Sequence, residues 1–287
     1  MLLILGLGYA GQAVAAAARA AGYAVAATSR DGAQGTVAFA EAGPAIARAT
    51  HLLTTIPPDA VGDPVLARYA GAIAAAAELR WIGYLSSTVV YGDRGGGWVD
   101  EATPPAPSGP RGQARLAAER AWAALADRRA VDLFRLAGIY GPGRSALDAL
   151  RAGRAQAVVK PGHAFGRIHR ADIARAVVAA MGSAPRSGVR VFNLADDEPA
   201  EPAAVLAYAA GLLGLPPPHP VPFAEAAAGM SPMARSFWAE NRKVASRATQ
   251  AALGIGWRYP SYREGLAAIL AEERGENLPE QGEIRRP

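Results

Sequence analysis

The sequence contains no cysteine. Disulfide bonds, a thiol nucleophile and a thiolate metal site are therefore excluded. Its four histidines do not fall at metal-ligand spacing, so no metal site is expected.

Long runs of one charge sign are also missing. The formal net charge is +5 and the pI is about 9.7, but the basic residues are mostly dispersed arginines. A phosphate-bearing small ligand explains this charge at least as well as nucleic acid does, so no nucleic-acid partner is expected. Apolar stretches are interrupted before they reach the roughly 20 residues of a membrane span, and the apolar N-terminus lacks the charged start of a signal peptide. A soluble, cytoplasmic protein without a membrane partner is the expectation.

Short apolar runs alternate with helical stretches along most of the chain. The predicted strands are 2–5, 24–28, 36–39, 51–56, 82–86, 132–136 and 191–194. The predicted helices are 12–21, 64–79, 111–126, 171–181 and 202–213. This alternation predicts an α/β fold, a Rossmann-type doubly wound parallel sheet with helices on both faces.

The composition changes after about residue 141, where proline becomes more frequent and the pattern less regular. We predict a nucleotide-binding domain over 1–180, with the strand at 191–194 returning to its sheet. A small C-terminal substrate lobe is predicted over 181–275 with parts of 141–170, followed by a loose tail at 276–287.

A glycine-rich turn follows the first apolar run. Gly6, Gly8 and Gly11 form a G-x-G-x-x-G pattern between a strand and a helix, with Tyr9 and Ala10 inside it. The first glycine permits a tight turn, the second lets the backbone approach a pyrophosphate, and the third allows close helix packing. The helix N-terminus then faces the phosphates. We expect these five residues to bind a dinucleotide; a glycine-rich turn without a ligand is the alternative.

The end of the second strand bears on the choice between NAD and NADP. An acidic residue here holds the ribose 2′-hydroxyl of NAD. This chain has Ser29 followed by Arg30. A hydroxyl and a guanidinium bind a 2′-phosphate through charge-assisted hydrogen bonds, which favours NADP over NAD. Asp31 is the competing candidate for the ribose, and a solvated Arg30 is the structural alternative.

Several later segments carry a family resemblance. They run in order along the chain: L-S-S-T-V-V-Y-G at 85–92, D-E at 100–101 before a proline-rich stretch, R-L-A-G-I-Y-G-P-G at 135–143, I-H-R-A-D-I-A at 168–174 and F-N-L-A-D at 192–196. With the glycine turn, they resemble the extended short-chain dehydrogenase/reductase superfamily, the NAD-dependent epimerase/dehydratase group. Thr54 and Thr55, after the fourth strand, and Ser86 are placed beside the cofactor by this resemblance.

The resemblance implies a catalytic Ser or Thr together with a Tyr and a Lys spaced Y-x-x-x-K. Ser87 falls at the Ser/Thr position. The helix that resembles Y-x-x-x-K-L-x-x-E has Arg111 in place of the Tyr and Arg115 in place of the Lys. Arginine stays protonated near neutral pH, so it does not act as a base. The chain therefore resembles an atypical member of the superfamily, lacking this pair.

Other roles are open for these side chains. Arg115 is expected to bind the cofactor ribose or pyrophosphate, and Arg111 to bind a substrate carboxylate or stabilise an oxyanion. A solvent-facing Arg111 and a turn-capping Ser87 are the structural alternatives. Gly138 stands where nucleotide-sugar members often have Asn, which argues against that substrate class.

Three further side chains are candidates for proton chemistry. Tyr140, together with Tyr91, is a candidate acid at a strand end, with simple packing as the alternative for each. His169 is more typical of a residue that orders a loop. Trp238 and the 235–242 segment are candidates for the substrate face of the lobe, with an exposed surface patch as the alternative.

Two functions remain open. The first is an NADP-dependent oxidoreductase or epimerase that acts on an unknown small molecule without the usual tyrosine base. The second is a catalytically silent NADP-binding sensor, which the missing Tyr and Lys favour. The resemblance also implies a homodimer through the helices at 64–79 and 111–126.

Overall fold

The computed structural model describes residues 1–276. Its strands are β1 (Leu2–Leu5), β2 (Val25–Ser29), β3 (Val37–Ala38), β4 (His51–Thr54), β5 (Trp81–Ser87), β6 (Trp98–Val99), β7 (Ala130–Leu136), β8 (Gly138–Tyr140), β9 (Ala157–Val159), β10 (Arg167–His169), β11 (Gly188–Leu194), β12 (Pro220–Pro222) and β13 (Lys243–Val244). Its helices are α1 (Tyr9–Ala20), α2 (Gly43–Ala47), α3 (Pro64–Ala75), α4 (Pro110–Ala123), α5 (Ala146–Arg151), α6 (Arg170–Gly182), α7 (Pro202–Leu213), α8 (Phe223–Gly229), α9 (Pro232–Phe237), α10 (Arg247–Leu253) and α11 (Tyr262–Arg274), with short 3-10 turns at Phe39–Glu41 and Thr88–Tyr91.

Seven parallel strands form the central sheet in the order β11-β7-β5-β4-β1-β2-β3. The predicted Rossmann-type doubly wound fold is confirmed. The order reverses between β1 and β4, because β2 lies on one side of β1 and β4 on the other. Ligands of open α/β sheets bind beyond the carboxyl ends of the strands at such a reversal.

The first strand shows why helices cover both faces of the sheet. Leu2 and Ile4 point into one buried cluster, which includes residues of α1 and α6. Leu3 and Leu5 point into a second cluster, which includes residues of α3 and α4. Successive side chains of a strand alternate between its faces, so four consecutive apolar residues require cover on both sides.

Several predicted elements are observed, with differences at their ends. The strand at 2–5 and the helix at 202–213 have the predicted bounds. Helix α1 begins at Tyr9, three residues before the prediction, so the second half of the glycine turn is its first turn. Helices α2, α5 and α8 to α11 were not predicted. All of them except α11 span only five to seven residues, which is too short for a helical period to show in the sequence.

The later segments are interleaved with the large domain. Strand β11 pairs with β7 in the central sheet. Leu253 and Trp257 lie in the same core cluster as Leu2. A separate cluster, which includes Tyr140 and Tyr262, joins α5, α7 and α11. The predicted tail at 276–287 lies outside the described residues, apart from Glu276. None of the helices within 1–276 is sufficiently long and apolar to cross a membrane.

Candidate functional site

The three glycines of the first turn differ in what surrounds them. Gly6 has a φ of +92°, and a Cβ there would lie 2.8 Å from Ile56 Cγ1. A Cβ on Gly11 would lie 2.8 Å from the carbonyl oxygen of Gly6. A Cβ on Gly8 would meet nothing within 4 Å. The turn itself therefore requires glycine at the first and third positions, whereas Gly8 is exposed and has open space beside it.

Two threonines hold this turn in place. The Gly6 amide donates to Thr28 Oγ1 at 3.1 Å, and the Thr55 hydroxyl donates to the Gly6 carbonyl oxygen. Gly8 is the N-cap of α1, without a side-chain cap or an acidic residue in the first turn. The amides of that first turn lack intrahelical partners and carry the positive end of the helix dipole. A helix N-terminus of this kind is suited to an anion such as a pyrophosphate.

The end of β2 separates the roles of the two residues expected at the 2′-phosphate. The Ser29 hydroxyl donates to Asp31 Oδ1 at 3.2 Å and accepts from the Gly32 amide at 3.0 Å. Hydrogen bonds from backbone amides, Ala33 first, lower the pKa of Asp31. Ser29 and Asp31 are thus engaged within their own loop. Arg30 is exposed and is the side chain available to a 2′-phosphate.

Two arginines from distant segments flank the glycine turn. The Tyr9 ring lies between Arg144, at 5.6 Å, and Arg170, at 4.8 Å from the ring centroid. The Tyr9 hydroxyl donates to the Pro142 carbonyl oxygen at 3.0 Å. This contact brings the G-P-G loop after β8 over the start of α1. Sequence reasoning missed both arginines, although Arg144 directly follows the G-P-G motif.

Thr54 and Ser86 lie at the ends of β4 and β5. The Thr54 hydroxyl is buried and has no hydrogen-bond partner within residues 1–276. The Ser86 hydroxyl donates to Glu119 Oε1 at 2.6 Å, and Glu119 in turn accepts from the Arg135 guanidinium at 2.8 Å. All three members of this network are buried. The side chain of Ser86 is used inside the core, which differs from the expected cofactor contact.

Arg115 is held against β5. Its Nη1 donates to the Leu85 carbonyl oxygen at 2.8 Å and to the Tyr84 hydroxyl at 3.1 Å. Burial raises the pKa of Tyr84 to about 12, so this hydroxyl stays protonated near neutral pH. The structure thus fixes a cation near the carboxyl end of β5. This placement suits a binding role for Arg115, and Arg115 is not among the residues that line the cavity described next.

A cavity of about 560 Å³ opens at the carboxyl ends of β5 and β7. Its walls come from both strand ends, the start of α4, the loop before β10 and the segment after α9. The residues that line it include Ser87, Val89, Ser108, Arg111, Leu136, Gly138, Ile139, Tyr140, Phe165, Arg167, Phe237, Glu240, Arg242 and Val244. Three of the four expected catalytic residues, Ser87, Arg111 and Tyr140, therefore line the same space.

Ser87 and Arg111 occupy different parts of this cavity. Ser87 Oγ accepts from the Val89 amide at 3.3 Å, so it caps the short 3-10 turn while it lines the cavity. Arg111 is exposed at the start of α4, with its guanidinium 4.9 Å from the centroid of the Phe237 ring. The hydroxyl hydrogen of Ser87 has no acceptor within the described residues. Ser87 is thus able to donate to a ligand oxygen.

Of the four charged residues that line the cavity, Arg167 is the one that the sequence did not point to. Arg242 pairs with Glu240 at 2.6 Å, and Glu240 also accepts from the Ser108 hydroxyl. Both Glu240 and Arg242 belong to the segment expected at the substrate face. Trp238, expected there too, instead lies buried in a cluster with Val158 and Ala226. Arg167 stands two residues before the histidine of the I-H-R-A-D motif, a position that could have suggested it.

The tyrosine and histidine candidates are held in structural contacts. The Tyr140 hydroxyl donates to the Ser261 carbonyl oxygen at 3.3 Å, and burial raises its pKa. Tyr91 donates to Asn193 Oδ1 at 2.7 Å inside the core. His169 caps α6, and burial lowers its pKa to about 4. Tyr140 also lines the cavity, but the raised pKa makes its hydroxyl a weaker acid, so the acid role expected for it stays a prediction.

Within residues 1–276, no cluster of three or more His, Cys, Asp or Glu side chains is arranged to hold a metal ion.

Comparisons with known proteins concern the whole chain. No family model matches it, and no curated protein sequence is found to be similar. Among solved structures, a functionally unknown conserved protein from Silicibacter pomeroyi DSS is 43% identical over 94% of this chain and 98% of its own, with a TM-score of 0.88.

Two further structures carry family names. One from Methylobacillus flagellatus bears the name of the NAD-dependent epimerase/dehydratase family; it is 25% identical over 95% of this chain and 98% of its own, with a TM-score of 0.71. A human epimerase family protein, solved with NADPH, is 18% identical over 94% and 99%, with a TM-score of 0.73. The chain thus shares its fold with structures named as epimerase family or NAD-dependent epimerase/dehydratase proteins, in agreement with the resemblance that its motifs carry.

Proposed function

We propose that the chain is an NADP-dependent oxidoreductase or epimerase-like enzyme that acts on a small molecule without a tyrosine base. The observation that carries this proposal is the position of the cavity relative to the glycine turn. The turn follows β1, the cavity opens at β5 and β7, and only β4 lies between β1 and β5.

The distance between the two sites suits a dinucleotide. Neighbouring strands lie about 4.8 Å apart, so β1 and β5 are separated by roughly 10 Å. A pyrophosphate at the N-terminus of α1 leaves one half of the dinucleotide to cross β4 towards β5. Thr55 lies on this path beside Gly6, and Arg115 is fixed on β5. The nicotinamide would then lie at the entrance of the cavity, next to Ser87.

The preference for NADP follows from the other half of the dinucleotide. Arg30 is exposed at the end of β2, and the neighbouring carboxylate of Asp31 is bound to its own loop. A guanidinium pairs with a phosphate through two parallel hydrogen bonds. Structural neighbours are solved with NADPH in one case and with NAD in others, so the choice of NADP rests on Arg30.

A bound nicotinamide supplies a hydride acceptor or donor. The chain would contribute position and charge to the reaction. Ser87 donates a hydrogen bond to the substrate oxygen, and Arg111 stabilises negative charge that develops there. Glu240, already bound to Arg242 and Ser108, is the carboxylate among the described residues that line the cavity. It is our candidate for proton transfer.

The second candidate function is a silent NADP-binding sensor. It is favoured by the positions at which the family resemblance implies the Tyr and Lys, since both are arginine and neither accepts a proton near neutral pH. The cavity argues for an enzyme, because a protein that only senses a dinucleotide does not need a second, separate pocket of this size.

The test is a titration of the purified chain with NADPH and NADH, followed by turnover. We expect the protein to bind NADPH more tightly than NADH and to consume NADPH with at least one compound in a panel of aldehydes, ketones and keto acids. Arg30→Asp should abolish the preference, whereas Arg186→Asp, at an exposed site remote from the turn, should preserve it. Tight NADPH binding without any turnover would favour the sensor, and equal binding of both dinucleotides would refute the NADP assignment.

A further inference from the structure

The cavity contains more positive than negative charge. Three arginines, Arg111, Arg167 and Arg242, and one carboxylate, Glu240, line it. The carboxylate is paired with Arg242 at 2.6 Å. Within residues 1–276, neither Arg111 nor Arg167 has a carboxylate oxygen within 4.0 Å of its guanidinium. Two cationic groups are therefore left for a ligand.

Arg167 presents the better-defined of these two groups. It lies at the start of β10, half-buried, and its Nη1 donates to the carbonyl oxygens of Phe165, at 2.8 Å, and Ala200, at 3.1 Å. Its Nε and Nη2 atoms make no hydrogen bond within the described residues. The edge formed by Nε and Nη2 is one that binds a carboxylate or phosphate through two parallel hydrogen bonds.

The nearest candidate counterion does not neutralise this guanidinium. Asp196 Oδ1 is 3.4 Å from the backbone amide of Arg167, but neither carboxylate oxygen forms an ion pair with the guanidinium. Asp196 Oδ2 is buried without a partner within 1–276. Burial raises the pKa of Asp196 to about 8, so this carboxyl is largely uncharged near neutral pH. The guanidinium of Arg167 is thus not ion-paired among the described residues, and its side chain lines both this cavity and a smaller pocket formed with α7 and α11.

The remaining walls are mostly apolar. Leu136, Ile139, Phe165 and Val244 line the interior, and Phe237 stacks with Arg111 at the entrance. Apolar walls with a few placed polar groups are typical of sites for small organic ligands, and the volume of about 560 Å³ suits such a ligand. The ligand is therefore expected to combine an apolar body with an anionic end.

We propose that the substrate is a small organic acid whose carboxylate or phosphate pairs with Arg167, while Arg111 covers it from the entrance. This inference names the substrate class of the proposed enzyme and so rests on the proposed function. A nucleoside diphosphate is the competing anion. Gly138 on the cavity wall has no side chain with which to contact such a ligand, and a Cβ there would already lie 3.3 Å from the Gly166 carbonyl oxygen.

Calorimetric titrations of the full chain, with and without NADPH, test the proposal. The probes are phenylacetate, phenyl phosphate, neutral phenylacetamide and UDP-glucose. We expect one of the two phenyl anions to bind at least about tenfold more tightly than phenylacetamide, because charged hydrogen bonds are roughly twice as strong as neutral ones. The two anions distinguish a carboxylate substrate from a phosphate substrate.

Arginine variants locate the site. Arg167→Met should remove the preference for the anion, and the matched surface variant Arg186→Met should keep it. Arg111→Met should weaken binding of the anion several-fold. Because Arg111 is exposed, this variant tests the proposal if Arg167→Met fails to fold. Equal affinity for anion and amide, a preference that survives these changes, or tighter binding of UDP-glucose than of either phenyl anion would each overturn the proposal.

The NADPH titration separates this inference from the proposed function. An anion preference that depends on Arg167 in a protein unable to bind NADPH would support the anion site and remove the proposed enzyme. NADPH binding and turnover without any anion preference would support the proposed enzyme and refute the anion site.

Discussion

Replacing Gly8 by alanine should damage cofactor binding without damaging the fold. The backbone at Gly8 has φ −83° and ψ −167°, an extended conformation that alanine adopts readily. The added methyl group would meet no protein atom within 4 Å. A glycine-to-alanine change at such a position stabilises a protein by about 0.4–1 kcal/mol, through the entropy of the unfolded chain. Gly8 is also the N-cap of α1, where alanine is less favourable than glycine by roughly the same amount, so the two effects offset each other. We therefore expect the free energy of unfolding to change by less than about 1 kcal/mol.

The bound state should respond differently. A pyrophosphate at the N-terminus of α1 would occupy the space that the new methyl group fills. Overpacking of one methyl group costs about 1–3 kcal/mol, which corresponds to an increase in the Kd for NADPH of about 5- to 150-fold. Fluorescence titration with NADPH gives the Kd, and urea denaturation gives the free energy of unfolding.

Two matched glycine variants serve as controls. Gly11→Ala places its methyl group 2.8 Å from the Gly6 carbonyl oxygen, so it should lower both stability and affinity. Gly71→Ala, in α3 with nothing within 4 Å, should leave NADPH binding unchanged. A stable Gly8→Ala protein that binds NADPH as well as the original chain would show that the dinucleotide does not approach this turn.

Three further predictions concern single side chains. Arg144→Met removes a cation beside the glycine turn and should weaken NADPH binding about two- to fivefold, most at low salt; no change in a titration at low salt would contradict a role at the phosphates. Tyr140→Phe should keep the kcat of NADPH-dependent turnover, because this buried hydroxyl donates to a backbone carbonyl; a large loss of kcat would restore it as an acid. Between about pH 4 and 8 the folded protein holds a proton on Asp196 that the unfolded chain has released, so the free energy of unfolding should fall as pH rises. Asp196→Asn should flatten this dependence in urea denaturation at several pH values, and an unaltered slope would refute the assignment.

Several side chains of the family motifs form contacts inside the protein, although the resemblance pointed to roles at a ligand. Glu119 and Arg135 form a buried ion pair that also receives the Ser86 hydroxyl. Asp172 accepts hydrogen bonds from the amides of Arg258 and Tyr259, which holds the loop before α11. These residues stabilise the frame around the cavity. Their motifs therefore predicted the fold more securely than they predicted which side chains face a ligand.

The sequence by itself determined the features that depend on neighbours in the chain. An apolar run followed by Gly6, Gly8 and Gly11 predicted a strand, a tight turn and a helix, and all three are observed. Phosphate binding at this turn stays a prediction. The alternation of strands and helices was sufficient for a parallel sheet covered on both faces. Backbone geometry and side-chain period are local properties, so they can be read from consecutive residues.

Only the tertiary structure decided which side chains are available to a ligand. Three arginines illustrate this difference. Arg115 is bound to the backbone of β5, and Arg135 is bound to a buried carboxylate. Arg167 keeps one edge of its guanidinium unbound. The partners of these arginines lie at various distances along the chain. Arg144, for example, contacts Tyr9, which lies 135 positions earlier in the sequence. The availability of a charge depends on what the fold places beside it, which the spacing of residues does not show.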